Sequence, residues 1–329
     1  MPPETNNSFI DRIFKTCLQN SVAFFILISI PITLVLIFSY SYVNRSVTYL
    51  TYHDAHQIAD DSSVALDEKI NSLFALGLSF TTNPRFLKDI NEGKWDEANS
   101  IVDIFKKTDN EEFIDAIFLA DNQGVVKTVS PPDPGVVNKN FSYRDWYNGV
   151  TSTGKPYISE VYQRANKPQI NIVAVAIPII GDNQLIKGSL VFQVSLNHFL
   201  DFVKKIPVEN GGFSYVVDQK GQIVADSEFA SQDKIINSSD ITVVEHIHAG
   251  LAGVEEIYDP VRKDNFLAAY QPCHHGWGIV IQQPVSKVFD ERQLIQFLFL
   301  FIFVFNLAIN VVFVYLLRRA IEADALEFK

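Results

Sequence analysis

The chain has 329 residues, 47% of them hydrophobic, and a net charge of −11 at pH 7. Its length allows one to three domains. The stretches 1–43 and 294–329 each carry as many acidic as basic residues, so the 22 basic and 33 acidic residues between them hold the whole excess, a surface that disfavours nucleic acid and anionic lipid headgroups.

The apolar residues gather at the two ends. Residues 22–43 read VAFFILISIPITLVLIFSYSYV without a charge, long enough at 1.5 Å per residue to cross a hydrocarbon core of about 30 Å. The run is too long for a cleaved signal sequence and no small-x-small site follows it, so a permanent transmembrane helix is predicted. Pro31 is compatible with that, because neighbouring groups inside a membrane satisfy the carbonyl it frees. Residues 294–317, LIQFLFLFIFVFNLAINVVFVYLL, are predicted as a second span. Arg12 and Lys15 precede the first span and Arg318 and Arg319 follow the second, whereas Arg45 and Arg292 lie on the loop side. Residues 1–21 and 318–329 are therefore expected in the cytoplasm, with 44–293 outside it. That topology separates Cys17 from Cys273 by a membrane and excludes a disulfide between them.

Within the loop, 44–83 is predicted as one long helix. Ile58, Ala65, Leu66, Ile70, Leu73, Phe74 and Leu78 form an apolar stripe opposite Asp60, Asp61, Asp67, Glu68 and Lys69, and Asn83-Pro84 ends it. A second helix is expected over 94–107. Residues 114–120 and 125–130 then read as a hairpin closed by Asp121-Asn122-Gln123-Gly124. FLADNQGVVKTVS from Phe118 aligns with YVVDQKGQIVADS from Tyr215 at an offset of 97. NIVAVAIP from Asn171 aligns with NFLAAYQP from Asn265 at 94. Two matches at nearly equal offset predict two copies of one α+β unit, 84–206 and 207–293, each an antiparallel sheet opened by a hairpin and closed by two longer strands. In the first copy those strands are 170–179 and 188–194, and in the second 266–272 and 277–281; a helix over 196–206 joins the copies.

NFSYRDWYNGVTSTGKPYISEVY (140–162), the strand ending in Pro178, GSLVFQVSL (188–196), the YVVDQKGQIVA hairpin and HGWGIVIQQPVSKVF (275–289) together resemble the double Cache family. Its members are extracytoplasmic sensor modules of histidine kinases, diguanylate cyclases and chemoreceptors. The resemblance implies an α+β fold, with a long N-terminal helix and two tandem PAS-like antiparallel-sheet units flanked by two transmembrane helices. It also implies a membrane-distal unit (84–206) that binds a small molecule, a membrane-proximal unit (207–293) that usually does not, and a bacterial inner-membrane location with a large periplasmic loop.

Arg144, Trp146, Tyr147, Tyr157 and Tyr162 fall within one loop-and-strand segment. An arginine fork matches a carboxylate bidentately, and aromatic walls exclude water from the pairing. The residue types alone favour Arg144 pairing with Asp145 or Glu160 while the aromatics fill a core. The resemblance supports a ligand role for Arg144, Trp146, Tyr147 and Tyr162, while Tyr157 rests on residue type alone. Against the amino-acid-binding pattern of the family, Lys139 stands in place of a tyrosine and Gln193 in place of the aspartate that pairs with the ligand ammonium. That favours an organic acid or other small carboxylate over a standard amino acid.

The paired histidines (53 and 56, 246 and 248, 274 and 275) lack the partners of a closed zinc site, and no nucleotide, hydrolase or metalloprotease motif occurs. No metal, cofactor or catalytic residue is expected. Cys273 beside His274 is expected to be a structural thiol, since neighbours on a strand point to opposite faces. Asn306 and Asn310, four apart in the second span, are placed to bond across a dimer of spans or within the bundle. The function expected is a homodimeric membrane receptor that packs along the helix before Pro84. It would pass a signal to a kinase, diguanylate cyclase or chemotaxis output lying in a partner or beyond residue 329, since the twelve residues after Leu317 hold no such domain. The alternative is a membrane-tethered solute- or protein-binding module without signalling output.

Overall fold

The computed structural model describes residues 21–108, 113–165, 167–229, 234–260, 262–288 and 290–327. The N-terminal 1–20, with Arg12, Lys15 and Cys17, lies outside the described residues. Two compact units emerge, one holding the described residues up to Thr51 and from Asp290 onward, the other Tyr52–Val288.

Helix α1 (Ser21–Thr81) runs 61 residues and carries Pro31 inside it, so the stretch 22–43 and the helix expected over 44–83 are one element. It stops because Asn83 Oδ1 accepts the amides of Arg85 (2.9 Å) and Phe86 (3.2 Å) and so caps the next helix, α2 (Pro84–Asn91). Pro84 at the first helical position lacks the amide that continuation of α1 would need. In the first unit the start of α1 lies beside α8 (Asp290–Glu327): Gln296 Nε2 donates to Tyr40 Oη at 3.1 Å, and the Tyr40 and Phe299 rings meet edge to face. Leu294–Leu316 in α8 has mean hydropathy 2.7 and is long and apolar enough to cross a membrane. Asn310 Nδ2 donates to Asn306 within the same helix, to its carbonyl (2.8 Å) and its Oδ1 (2.9 Å).

The second unit contains two antiparallel sheets. The first is built from β1 (Ile114–Asp121), β2 (Val126–Ser130), β3 (Tyr157–Ile158), β4 (Tyr162–Gln163), β5 (Asn171–Ile180) and β6 (Ile186–Ser195), in the order β2-β1-β6-β5-β3 with β4 also on β5. The second has β7 (Phe213–Val217), β8 (Ile223–Asp226), β9 (Gly253–Asp259), β10 (Asp264–Pro272) and β11 (Gly278–Pro284), in the order β8-β7-β11-β10-β9. The expected duplication is therefore present. It extends to the turns: Asp121 Oδ1 accepts the amides of Gln123 and Val125, and Asp218 Oδ1 those of Lys220 and Gln222, all at 2.9 Å. Gly124 and Gly221 close the two turns at φ +79° and +74°, conformations that glycine adopts without cost.

Strand β5 is buried on both faces. Val173, Val175, Ile177 and Ile179 join a core with α1, α2 and α3 (Trp95–Thr108), while Ile172, Ala174 and Ala176 meet the opposite core beneath α4 (Asp145–Thr153). Period-two alternation between two covered faces explains why the strand reads as a continuous apolar run. The segment 140–162, expected as loop and strand, is corrected here, since it folds around α4. Helices α5 (Asn197–Val203), α6 (Thr242–His248) and α7 (Val285–Val288) complete the unit.

Candidate functional site

A cavity of about 250 Å³ opens on the α4 face of the first sheet, between β1, β2, β6 and the segment around β4. Its apolar wall comes from Phe118 on β1, Val126 and Val129 on β2, Val136, and Trp146 on the first turn of α4. Trp146 is buried and meets Phe118 edge to face at 5.5 Å, so both rings are locked by packing rather than free to collapse into the space. The volume lies just below the usual range of about 300–1,000 Å³ for drug-sized ligand sites, which suits a molecule of a few heavy atoms.

Arg144 occupies the N-cap position of α4 but makes no side-chain cap bond. Its guanidinium is thereby left to the cavity. It sits 4.5 Å above the Tyr162 ring and 5.2 Å from that of Tyr143, and Nη2 donates to the Gln163 carbonyl at 3.3 Å. The carboxylates that sequence alone offered as its partners are engaged elsewhere. Asp145 accepts from the Glu160 amide (3.0 Å), Tyr157 Oη (3.2 Å) and Gln219 Nε2 (3.0 Å), while Glu160 pairs with Lys220. Among the described residues no carboxylate forms an ion pair with Arg144.

Four of the six expected ligand residues, Arg144, Trp146, Tyr162 and Gln193, line this cavity. The other two are not part of its lining. Tyr147 donates to the Asn122 carbonyl (2.9 Å) at the hairpin turn. Tyr157 packs its ring over Gly149 and hydrogen-bonds Asp145, and burial with that neighbouring charge pushes its phenol up to about 12. Tyr147 follows Trp146 by about 100° around the helix, and its hydroxyl is taken by the hairpin turn instead of the cavity.

The lining also holds three charged residues that were not expected, Asp115, Asp133 and Arg164. Arg164 follows Tyr162 at i+2, on the same side of an extended segment, and its Nη1 lies 3.8 Å from Asp115 Oδ2. Burial raises the Asp115 carboxyl above its ordinary range against the opposing pull of Arg164, and Oδ2 has no hydrogen-bond partner. Asp115 neighbours Ala116, which is paired in register with Gln193. The sequence signal for Arg164 and Asp115 was the strand alternation itself, a charge two residues from an expected site aromatic and an acid inside an apolar strand. Tyr162 is buried and its phenol is raised by that burial, so it is a neutral wall for Arg144.

Comparison with known proteins agrees with this architecture. The sequence profile of the Cache domain matches residues 44–291, while no curated protein sequence matches. Among solved structures, the periplasmic sensory domain of the Campylobacter jejuni chemoreceptor Tlp1 superposes with TM-score 0.57 at 14% identity, covering 74% of this chain and 98% of that one. The ligand-binding domain of the Pseudomonas fluorescens chemoreceptor CtaA, solved with L-isoleucine, gives 0.57 at 14% over 75% and 98%. That of the Pseudomonas aeruginosa amino acid chemoreceptor PctB, solved with L-Gln, gives 0.54 at 15% over 72% and 92%. With one long helix, two antiparallel sheets of matching register and the profile match across both, the chain belongs to the Cache domain family in its double form.

Proposed function

We propose that this protein is a membrane-anchored receptor whose first sheet unit binds a small carboxylate, with Arg144 as its charge partner and Trp146, Tyr162 and Phe118 as the dry walls. The observation that carries this reading is the guanidinium of Arg144, held over an aromatic ring at the edge of a cavity without an ion-paired carboxylate. A ligand carboxylate there forms a charge-assisted, bidentate pair in surroundings poor in water. Arg164, already beside Asp115, is the second cation of the site. Residues 22–43 and 294–317 serve as the two spans in this reading, and α1 carries the change from the cavity towards the first. A ligand shifts that equilibrium only by its differential affinity for the two states. No residue of the cavity is assigned a catalytic role, and output belongs to a kinase, cyclase or chemotaxis partner.

The amino acids bound by CtaA and PctB are the nearest alternative ligands. Gln193 lacks the charge to hold an ammonium group, but Asp115 stands beside it in the same wall. The test is thermal unfolding of the full-length protein in detergent against a panel of small carboxylates with and without an α-amino group. A specific ligand at a hundredfold excess over its dissociation constant stabilises by about 2.7 kcal/mol. That shift is expected in the wild type and in Tyr147→Phe, and is expected to vanish in Arg144→Ala. If no carboxylate of either kind shifts the wild type, the carboxylate reading fails. Asp115→Asn separates the ligand classes: it weakens an amino acid and spares or strengthens a simple acid.

A further inference from the structure

The duplication allows the cavity of the first sheet to be traced, position by position, into the second. In the first sheet Ala116 is paired with Gln193 and Phe118 with Val129. In the second, Phe213 is paired with Gln282 and Tyr215 with Asp226. The offset of 97 carries Ala116, Phe118 and Val129 onto Phe213, Tyr215 and Asp226, and Gln282 takes the place of Gln193 through its pairing with Phe213. Arg164, whose amide bonds the Ile170 carbonyl, corresponds likewise to Asp259, which is paired with Asp264. Ala116, Phe118, Val129, Arg164 and Gln193 all line the cavity of the first sheet. Three of the counterparts, Phe213, Asp226 and Asp259, touch one group, the guanidinium of Arg262, and Tyr215 lies within its electrostatic reach.

Arg262 reaches in from the turn between β9 and β10. Its Nη2 lies 2.8 Å from Asp226 Oδ2, its Nη1 3.2 Å from Asp259 Oδ2, and its Nε 3.0 Å from Glu228 Oε2. Its Cζ is 3.5 Å from the centre of the Phe213 ring and 4.9 Å from that of Phe229. The Asp226 and Asp259 side chains are 1% exposed, while Gln282 is fully buried with Oε1 unpartnered. Every N–H edge of the fork thus faces a carboxylate, its plane is covered by aromatic rings, and three negative charges meet one positive charge. Where the first sheet sets arginine at the wall, the second sets aspartate.

We propose that the second sheet unit keeps a ligand-type site of inverted charge, built for a guanidinium cation, and that Arg262 fills it as a ligand tethered to the chain. A structural ion pair needs the side chain as covalent packing, whereas a site needs only the cation. The full-length protein in detergent distinguishes the two through tryptophan-monitored thermal unfolding of Arg262→Ala with and without methylguanidinium. Loss of one partner from a buried ion pair is expected to lower the midpoint by on the order of 10 °C. Methylguanidinium is expected to restore most of that shift in a saturable manner and to leave the wild type unchanged. Equimolar sodium or methylammonium chloride is expected to restore little, because neither offers the fork. An unchanged midpoint in Arg262→Ala, no response to methylguanidinium, or an equal response to methylammonium overturns the proposal. Adding Asp226→Asn and Asp259→Asn removes the charge of the site and should abolish the response; a response that persists also overturns it. Should Arg262→Ala not fold, this neutralised triple variant is expected to fold, because the uncompensated carboxylates are gone. A triple variant as unfolded as the single one overturns the proposal, since Arg262 would then act through packing alone.

Discussion

Asp115 places a pH-sensitive group in the cavity wall, which also carries Asp133. Burial raises the Asp115 carboxyl, and Arg164 at 3.8 Å opposes that shift without cancelling it. A raised folded pKa means that the folded chain holds the proton over a window in which the unfolded chain has lost it. Stability therefore falls as pH rises through that window. Asp218 is also raised by burial, so global unfolding cannot isolate Asp115, but ligand affinity can. A carboxylate bound at Arg144 is repelled by ionised Asp115 and relieved when Asp115 takes up a proton. Affinity for a simple carboxylate, measured by calorimetry, is expected to rise as pH is lowered into the Asp115 window, by at most about tenfold per pH unit for one proton. In Asp115→Asn the affinity should stay flat over the same range. A wild-type profile that falls on acidification would show that the ligand needs the ionised carboxylate, as an ammonium group does.

At the scale of elements, α1 packs on β5 at a glycine. A Cβ at Gly77 would overlap the side chain of Ile177, so the missing side chain is what lets the helix settle on the strand. Gly77→Ala gains about 1 kcal/mol of helix propensity against about 1–3 kcal/mol of overpacking, and a net loss is expected in chemical denaturation. Ile177→Ala removes both side-chain atoms that a Cβ at Gly77 would overlap. Gly77→Ala with Ile177→Ala is thus expected to be more stable than the sum of the single changes, and strict additivity would show that the helix simply moves away. The same scale shows what the sequence could and could not reveal. β5 was legible because Val173 to Ile179 alternate between two apolar cores, and both hairpins because an aspartate and a glycine bracket each turn. α4 was not, because DWYNGVTST offers only Trp146 and Val150 as a stripe and keeps Gly149 for the Tyr157 ring. α6 carries β-branched Thr242, Val243 and Val244, and tertiary packing overrides their preference. β3 and β4 are two residues each, too short for any period to register. The site was read accordingly. Arg144, Trp146, Tyr162 and Gln193 come together, whereas Tyr147 turns to Asn122 on the helix and Tyr157, on β3, packs over Gly149 and bonds Asp145.

At the scale of the whole sensor region, the two sheet units share one core and one polar chain. Leu66, Ile70 and Leu73 of α1 pack in the same cluster as Ile177 and Phe192 of the first sheet and Val216, Trp277 and Ile279 of the second. Next to Arg144, Asp145 accepts from Gln219 Nε2 at 3.0 Å, and Gln219 Oε1 accepts from Trp277 Nε1 at 2.9 Å. Beyond Trp277, the turn between β10 and β11 returns to α1, where the Asp67 carboxylate accepts the His274 amide at 3.1 Å and lies 2.5 Å from its Nδ1. A shift of α4 on ligand binding therefore meets a hydrogen-bonded path into the second sheet and back to the long helix. Gln219 does not line the cavity, which makes it the position where coupling and binding separate. Gln219→Ala leaves the indole N–H of fully buried Trp277 unpaired, at a cost of about 1–3 kcal/mol. With the two sheets bound through a common core, urea unfolding of the variant is expected to remain a single transition with a lower midpoint and an unchanged slope. A split transition, or a slope that falls while the midpoint holds, would mean that the sheets unfold independently. In that event Gln219 is the main link between them, and the shared apolar core does not bind them into one cooperative body.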